Sequence, residues 1–230
     1  MALQGVHKVK PRETFDSELI KLRDDVLILG SMTEKAILCS IEALKRRDQE
    51  AARQIIADDL EINRQRFEIE EECIQLVATQ QPMAGDLRTI VAVLHIIVDL
   101  ERMADHAEGI ARITLMMGDE PLLKPLIDVP RMAEKGVSML RRSLEAFINW
   151  DAETARRICD EDDEVDALYD QVYRELLTYM IADPTTINRA TNLLWVAHNL
   201  ERIADRVTNI CERVVYMVTG RMEEMNVSKY

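Results

Sequence analysis

The feature that most restricts how this chain can fold is that it is written twice. Leu100-Glu101-Arg102-Met103-Ala104-Asp105 recurs as Leu200-Glu201-Arg202-Ile203-Ala204-Asp205, and upstream Leu44, Asp48, Ala52, Arg53, Ile55 and Asp59 recur as Phe147, Asp151, Ala155, Arg156, Ile158 and Asp162. The copies lie 100 residues apart in the first case and 103 in the second. A repeat of this length fixes architecture more firmly than local propensity does. The discrepancy falls between the matched blocks, where TQQPMAGD around Pro82 gives way to the shorter IADPTT around Pro184. Proline makes both segments helix breaks, so each copy holds three helices.

Composition supports helices over strands. Glycine (7) and proline (6) are scarce in 230 residues, while Ala, Leu, Ile, Glu, Arg and Met, mostly good helix formers, dominate. With 47% hydrophobic residues the chain can bury a substantial core. The expected fold is all-α, two tandem three-helix bundles with six long helices. The first copy is read as helices over about 16–47, 49–79 and 86–117, and the second follows from Val129. Asp48 and Asp151 stand where the first and second helices of each copy meet and suit a helix cap. Between the copies, GDEPLLKPLID with Pro121 and Pro125 reads as an ordered, non-helical connector. The expected organisation is an N-terminal tail (1–15), a first repeat (16–117), the connector (118–128), a second repeat (129–220) and a C-terminal tail (221–230).

Charge and motifs exclude several function classes. A formal net charge of −13 without clustered Lys and Arg repels nucleic-acid phosphates, so no nucleic acid is expected as a partner. The acidic surface suits cations or a basic protein partner. Cys39, Cys73, Cys159 and Cys211 form no CxxC pair, which argues for a reduced cytoplasm and for four plain core residues. MALQGVHKVKPRETF has no apolar leader core, and the longest nearly apolar run, Ile90 to Val98, is too short to cross a bilayer. Membrane contact is therefore expected only at the periphery or through a partner. No Gly-rich phosphate loop, G-x-S-x-G elbow or kinase-type motif is present, and no nucleophile–base pair stands out, so the chain is not read as an enzyme.

The chemistry-bearing pattern is acid placed where a hydrophobe is expected. The first helix has an ordinary apolar stripe through Leu19, Leu22, Val26, Leu29, Ile37, Ile41 and Leu44. On the second, the stripe Ala52, Ile55, Asp59, Ile62, Arg66, Ile69, Cys73 and Leu76 is interrupted by Asp59, and in the repeat Ala155, Ile158, Asp162, Val165, Tyr169, Val172 and Leu176 is interrupted by Asp162. On the third, Leu87, Ile90, Leu94 and Ile97 lead into Glu101, Ala104 and Glu108, and Leu194 and Ala197 lead into Glu201 and Ala204.

Residues four apart share a helix face, so Glu101 with Asp105, Glu201 with Asp205, and Asp162 with Asp166 are stacked carboxylate pairs, whereas Asp59 meets only Asn63. Desolvated like charges near a packed seam cost several kcal/mol (roughly) unless neutralised. Arginines such as Arg66, Arg102, Arg202 and Arg206 could do this, and so could a metal cation held by oxygens from two helices. Oxygen donors without nearby histidine favour iron, manganese, magnesium or zinc. None of His7, His95, His106 or His198 completes the Glu-x-x-His motif of di-iron oxidases; His106 follows Asp105 and could ligate peripherally, but all four histidines are read as structural.

The doubled L-E-R-x-A-D block, the Asp59 and Asp162 helices and the QPMAGDLR loop resemble the PhoU family over about residues 16–220. This resemblance implies two three-helix bundles related by a pseudo-twofold, and metal clusters on E/D-x-x-x-D motifs. Carried onto this chain, the metal residues are Asp59, Glu101, Asp105, Asp162, Asp166, Glu201 and Asp205, with iron or zinc the leading ions. Asn63 departs from the motif, which puts the Asp59 site in doubt. The resemblance further implies a cytoplasmic negative regulator, peripheral to the inner membrane through its partners. It would be a homodimeric adaptor coupling a phosphate transporter, through its ATPase subunit, to a sensor histidine kinase. Two other classes stay open on the residues: a metallo-hydrolase using clustered metals to activate water, and a metal-free helical scaffold whose acids pair with arginines.

Overall fold

The computed structural model describes residues 11–225. His7 and the outermost residues of both expected tails lie outside them. Among the described residues the secondary structure is helical: α1 (Pro11–Arg46), α2 (Gln49–Gln80), α3 (Ala84–Met117), α4 (Asp128–Asn149), α5 (Ala152–Asp160), α6 (Asp162–Ala182) and α7 (Ile187–Thr219), with a short 3-10 turn at Pro184–Thr186. α5 and α6 are the two pieces of one rod, so six rods stand in two sets of three. The described part of α1 opens at Pro11, inside the segment expected as a tail.

The repeat is visible in how the chain turns between the first and second rods of each set. Arg47 and Trp150 both adopt φ 57, and the next amides reach back across the turn, Asp48 N to Ala43 O and Asp151 N to Ala146 O, each at 2.9 Å. This is the Schellman closure of a helix C-terminus. The same aspartates then cap the following helix: Asp48 Oδ1 accepts from Ala51 N, and Asp151 Oδ1 accepts from Glu153 N and Thr154 N. One side chain thereby satisfies amides that a helix start leaves open, as the sequence reading anticipated.

The apolar stripes define the interior. Leu22, Val26, Leu29, Ile37 and Leu44 of α1, Ile62, Ile69 and Cys73 of α2, and their counterparts in α4 to α7 are buried in one continuous core that runs through both sets. α3 and α7 are the most extensively packed pair, and α1 packs on α4, so the third rods form the spine between the sets. Leu87, read as part of the stripe, is instead 39% exposed, because it lies in the first turn of α3, beyond the reach of the packed rods. The connector is non-helical yet ordered: Leu122, Leu123 and Leu126 pack on the core, and the buried Lys124 donates to Glu175 of α6. No helix among the described residues is long and apolar enough to cross a membrane.

Sequence periodicity missed one break. The fifth rod is interrupted at Glu161, whose N–H bonds Ile158 O in a tightened turn, while its carboxylate takes a two-pronged ion pair from Arg142 of α4. Asp162, Asp163 and Glu164 then form the first turn of α6, where the positive end of the helix dipole favours acids. The equivalent stretch of α2 around Asp58 and Asp59 is uninterrupted helix.

Across the spine, the pseudo-twofold pairs polar residues in unlike ways. Asp99 of α3, buried at 8% exposure, accepts from Asn209 Nδ2 at 3.1 Å and Arg206 Nη1 at 3.4 Å. Its counterpart Asn199 on α7 has Oδ1 2.9 Å from His106 Nδ1. His106 and Gly109 occupy the places equivalent to Arg206 and Asn209. A Cβ at Gly109 would meet Asn199 Oδ1 at 3.2 Å, so glycine leaves room for the Asn199 amide.

Candidate metal centre

The seven predicted acids gather in two places. Asp59 comes from the middle of α2, and Glu101 and Asp105 from the neighbouring α3; Asp162 and Asp166 stand at the start of α6, with Glu201 and Asp205 on the neighbouring α7. The rods that carry them pack against one another, so the acids face common seams rather than separate surfaces.

In the first cluster, burial first, and then the negative charges of Asp105, Glu108 and Glu101, raise the pKa of Asp59 to about 6, against the hydrogen bond from Asn63. Asp59 is 8% exposed. Its Oδ2 accepts from Asn63 Nδ2 at 2.8 Å, while its buried Oδ1 has no hydrogen-bond partner. Glu101 and Asp105 are also raised, by burial first and then by neighbouring acids, against the pull of Arg102. Arg102 stands 3.5 Å from Asp105 and 3.7 Å from Glu101. Glu108, bound to Arg112 at 2.5 Å, adds to the field. It stands seven residues after Glu101, so its place on the same face was legible even though it was not singled out as a ligand.

The second cluster is denser in charge. Asp162 is 1% exposed, and burial, then Asp166, Asp205, Glu201 and Asp163, push it up to about 7. Glu201 also rises to about 7, through burial and then Asp205 and Asp166, opposed by Arg202. Its Oε2 is buried without a hydrogen bond, 3.5 Å from His198 Nδ1. Asp166 and Asp205 are raised chiefly by burial. One arginine reaches in: Arg202 Nη1 donates to Asp205 at 2.7 Å. His198 is also ringed by Trp195 and Tyr169, at centroid distances of 5.6 and 6.3 Å. It therefore borders the acids instead of lying in a purely apolar setting, and that position was not evident from the sequence.

The donor chemistry fits a hard or borderline cation. Buried carboxylate oxygens that lack a hydrogen bond and titrate high are groups whose charged form lacks a counter-charge. The side chains as placed are not yet a closed ligand set: among the described residues no three His, Cys, Asp or Glu groups are arranged to hold an ion. Ligation would need carboxylate rotamers to turn inward, a small change for acids on adjoining helices. His106 is turned away, toward Asn199 of α7, and does not join the first cluster.

Two further readings are revised by the structure. Cys39 is exposed, whereas Cys73, Cys159 and Cys211 are buried. It sits midway between Ile37 and Ile41 of the α1 stripe, two positions from either, and lines a cleft of about 460 Å³ between α1 and α2, together with Lys35, Ile55, Asp58 and Asp59. The buried Asp99 and its α7 partners went unnoticed, because such a pairing depends on which helices cross and leaves no local pattern.

Comparison with known proteins places this arrangement. The PhoU domain model matches residues 26–114 and again 129–214. The chain belongs to the PhoU family. A phosphate-specific transport system accessory protein PhoU homolog from Clostridium acetobutylicum is 39% identical over 94% of this chain and 99% of its own length. One from Aquifex aeolicus is 38% identical over 89% and 93%. Among solved structures, PhoU from Pseudomonas aeruginosa superposes with a TM-score of 0.85 at 35% identity, covering 90% of this chain and all of that one. The phosphate transport system regulatory protein PhoU from Streptococcus pneumoniae gives 0.85 at 34%, covering 91% and 99%. The two matched segments coincide with the two sets of rods, so the family pattern, like the acid pattern, is present twice.

Proposed function

We propose that this protein regulates phosphate transport as a non-catalytic adaptor. It restrains phosphate uptake and the phosphate-starvation response by coupling a phosphate transporter, through its ATPase subunit, to a sensor histidine kinase. The observation that carries this reading is the match, nearly end to end, to accessory proteins of the phosphate-specific transport system. An adaptor without a membrane-crossing helix among its described residues reaches its partners from the cytoplasmic face of the inner membrane.

We further propose that Asp162, Asp166, Glu201 and Asp205 hold a metal ion, iron or zinc before manganese or magnesium, and that Asp59, Glu101 and Asp105 form a weaker second site. A bound cation supplies positive charge that lets these acids ionise together while staying packed. The chain's own contribution is to position them: α6 presents Asp162 at its start and Asp166 one turn on, α7 presents two more, and Arg202 offsets part of the charge at Asp205. In the first site, Asn63 already satisfies one oxygen of Asp59, which lowers the demand for an ion there.

Deleting the gene and measuring alkaline phosphatase output in phosphate-rich medium tests the regulatory role. Constitutive output, reversed by the native gene, is expected; unchanged output refutes it. Elemental analysis of protein purified without chelator tests the metal separately. The arginine-neutralised scaffold is favoured by one observation, the 2.7 Å Arg202–Asp205 contact. It is the reading that survives if the protein stays empty with iron, zinc and manganese and melts identically with chelator.

A further inference from the structure

At the cleft between α1 and α2 the two copies of the fold part company. Met32, Ile55 and Ile62 give it apolar walls, and Cys39, Asp58 and Asp59 also line it. Counted along the repeat, Cys39 corresponds to Arg142 and Asp58 to Glu161. In the second copy those two residues are the two-pronged ion pair that joins α4 to the broken rod. The groove left beside that pair is lined by Lys135, Ser138, Glu161 and Glu164 and does not reach Asp162. The first copy keeps the carboxylate and lacks the guanidinium, with a thiol standing where the arginine would be. Its cleft is what remains of a kept frame when one cationic side chain is taken away.

The charges in the cleft say what fits there. Asp59 is buried, and its Oδ1 has no hydrogen-bond partner. Asp58 beside it is exposed and accepts from the Gln54 amide at 2.6 Å, while Glu61 at the rim is paired with Arg64. One deep and one shallow carboxylate in an apolar slot complement a planar fork of N–H donors carried on an aliphatic stem. A bare metal ion is the poorer match: it has no use for apolar walls, and no three ligating groups come together among the described residues. A volume of about 460 Å³, mostly apolar with a few convergent polar groups, is that of a small-molecule pocket. The exposed Lys35 on the same lining offers a positive charge to a carboxylate at the far end of the stem.

We propose that this cleft binds a small guanidino acid, with its guanidinium at Asp58 and Asp59, where Arg142 serves the second copy, and its carboxylate at Lys35. Isothermal titration of the full chain with L-arginine should give one saturable site. L-Citrulline, which keeps the shape and lacks the charge, should bind at least about tenfold more weakly. Agmatine, which lacks the carboxylate, should bind more weakly than arginine, and Lys35→Met should erase that difference. Asp58→Asn, at an exposed site that the fold does not depend on, should weaken arginine binding by at least about tenfold. Cys39→Arg combined with Asp58→Glu transplants the ion pair of the second copy; helicity by circular dichroism should hold and arginine binding should vanish. No saturable heat up to about 10 mM arginine overturns the proposal. So does equal binding of citrulline, or full-strength binding by Asp58→Asn or by the transplanted chain. Binding of arginine only within a peptide also overturns it, and would make the cleft a protein-docking site.

Discussion

The two acid clusters occupy equivalent places in a duplicated fold, yet they are neutralised differently. In the first, Asp59 lies in unbroken helix and is bonded by Asn63 at 2.8 Å. In the second, Asp166 replaces that amide with another carboxylate, and the rod breaks so that Asp162 falls at a helix start. The contrast shows how one backbone frame can carry an acid seam stabilised internally by an amide beside one whose acids repel, with Asp162 and Glu201 pushed up to about 7. On the proposal of a bound cation, the second half is thus the stronger of the two sites.

The largest effect that could break this comparison is metal dependence. A cation present at a hundred times its dissociation constant stabilises the folded chain by about 2.7 kcal/mol, or roughly 5–10 °C in melting temperature for a chain of this size. Chelator should remove that increment, and Glu201→Ala with Asp205→Ala should abolish it. The corresponding pair Glu101→Ala and Asp105→Ala should change it less, as read by calorimetry with elemental analysis.

Proton linkage gives the next effect. Asp162 and Glu201 have folded pKa values raised to about 7, above unfolded values near 4 (roughly), so the metal-free folded chain binds more protons than the unfolded one. The stability they contribute is fully present below pH ~4 and is lost as pH rises through about 7. Metal-free protein should therefore melt lower at pH 8 than at pH 5.5, by on the order of 2 kcal/mol in unfolding free energy. Asp162→Asn should flatten that slope. Metal affinity should run the opposite way and rise with pH, because protons compete for the ligands.

Exchanging the amide for the carboxylate of its repeat mate sharpens the comparison further. Asn63→Asp removes a half-buried hydrogen bond and adds a like charge, so it should destabilise metal-free protein by about 1–3 kcal/mol. It should raise the measured metal content if the amide is what weakens the first site. The smallest effect belongs to the half-buried Arg202: Arg202→Ala should cost about 1 kcal/mol or less. A larger loss would mean that arginine, and not a cation, is the principal counter-charge of the second cluster.

Much of this was legible in the sequence because the chain states it twice. The six rods, the capping roles of Asp48 and Asp151 and the non-helical connector follow from periodicity, caps and prolines. The inward placement of Asp59, Glu101, Asp162 and Glu201 follows from acids standing in an apolar register. What was illegible depends on tertiary partners. The break at Glu161 carries no Gly or Pro; it is held by Arg142 from another helix. Burial of Asp99 and exposure of Cys39 both turn on which rods cross at those levels, which a single helix's pattern does not encode. Recruitment of Asn63 to Asp59 could be seen as spacing, but its consequence, an amide standing in for a cation, appears only once Asp59 is known to be buried.

The interior that continues from one set of rods to the other has a consequence for how the duplication works as a unit. Neither half owns a complete hydrophobic surface, since each third rod is covered by its opposite number. A fragment ending at the connector would leave the spine-facing side of α3 wet and Asp99 deprived of Arg206 and Asn209. Heating should accordingly give a single calorimetric peak, with whatever is bound in one half adding to the resistance of the other. Duplication here has yielded one shared interior instead of two separate ones.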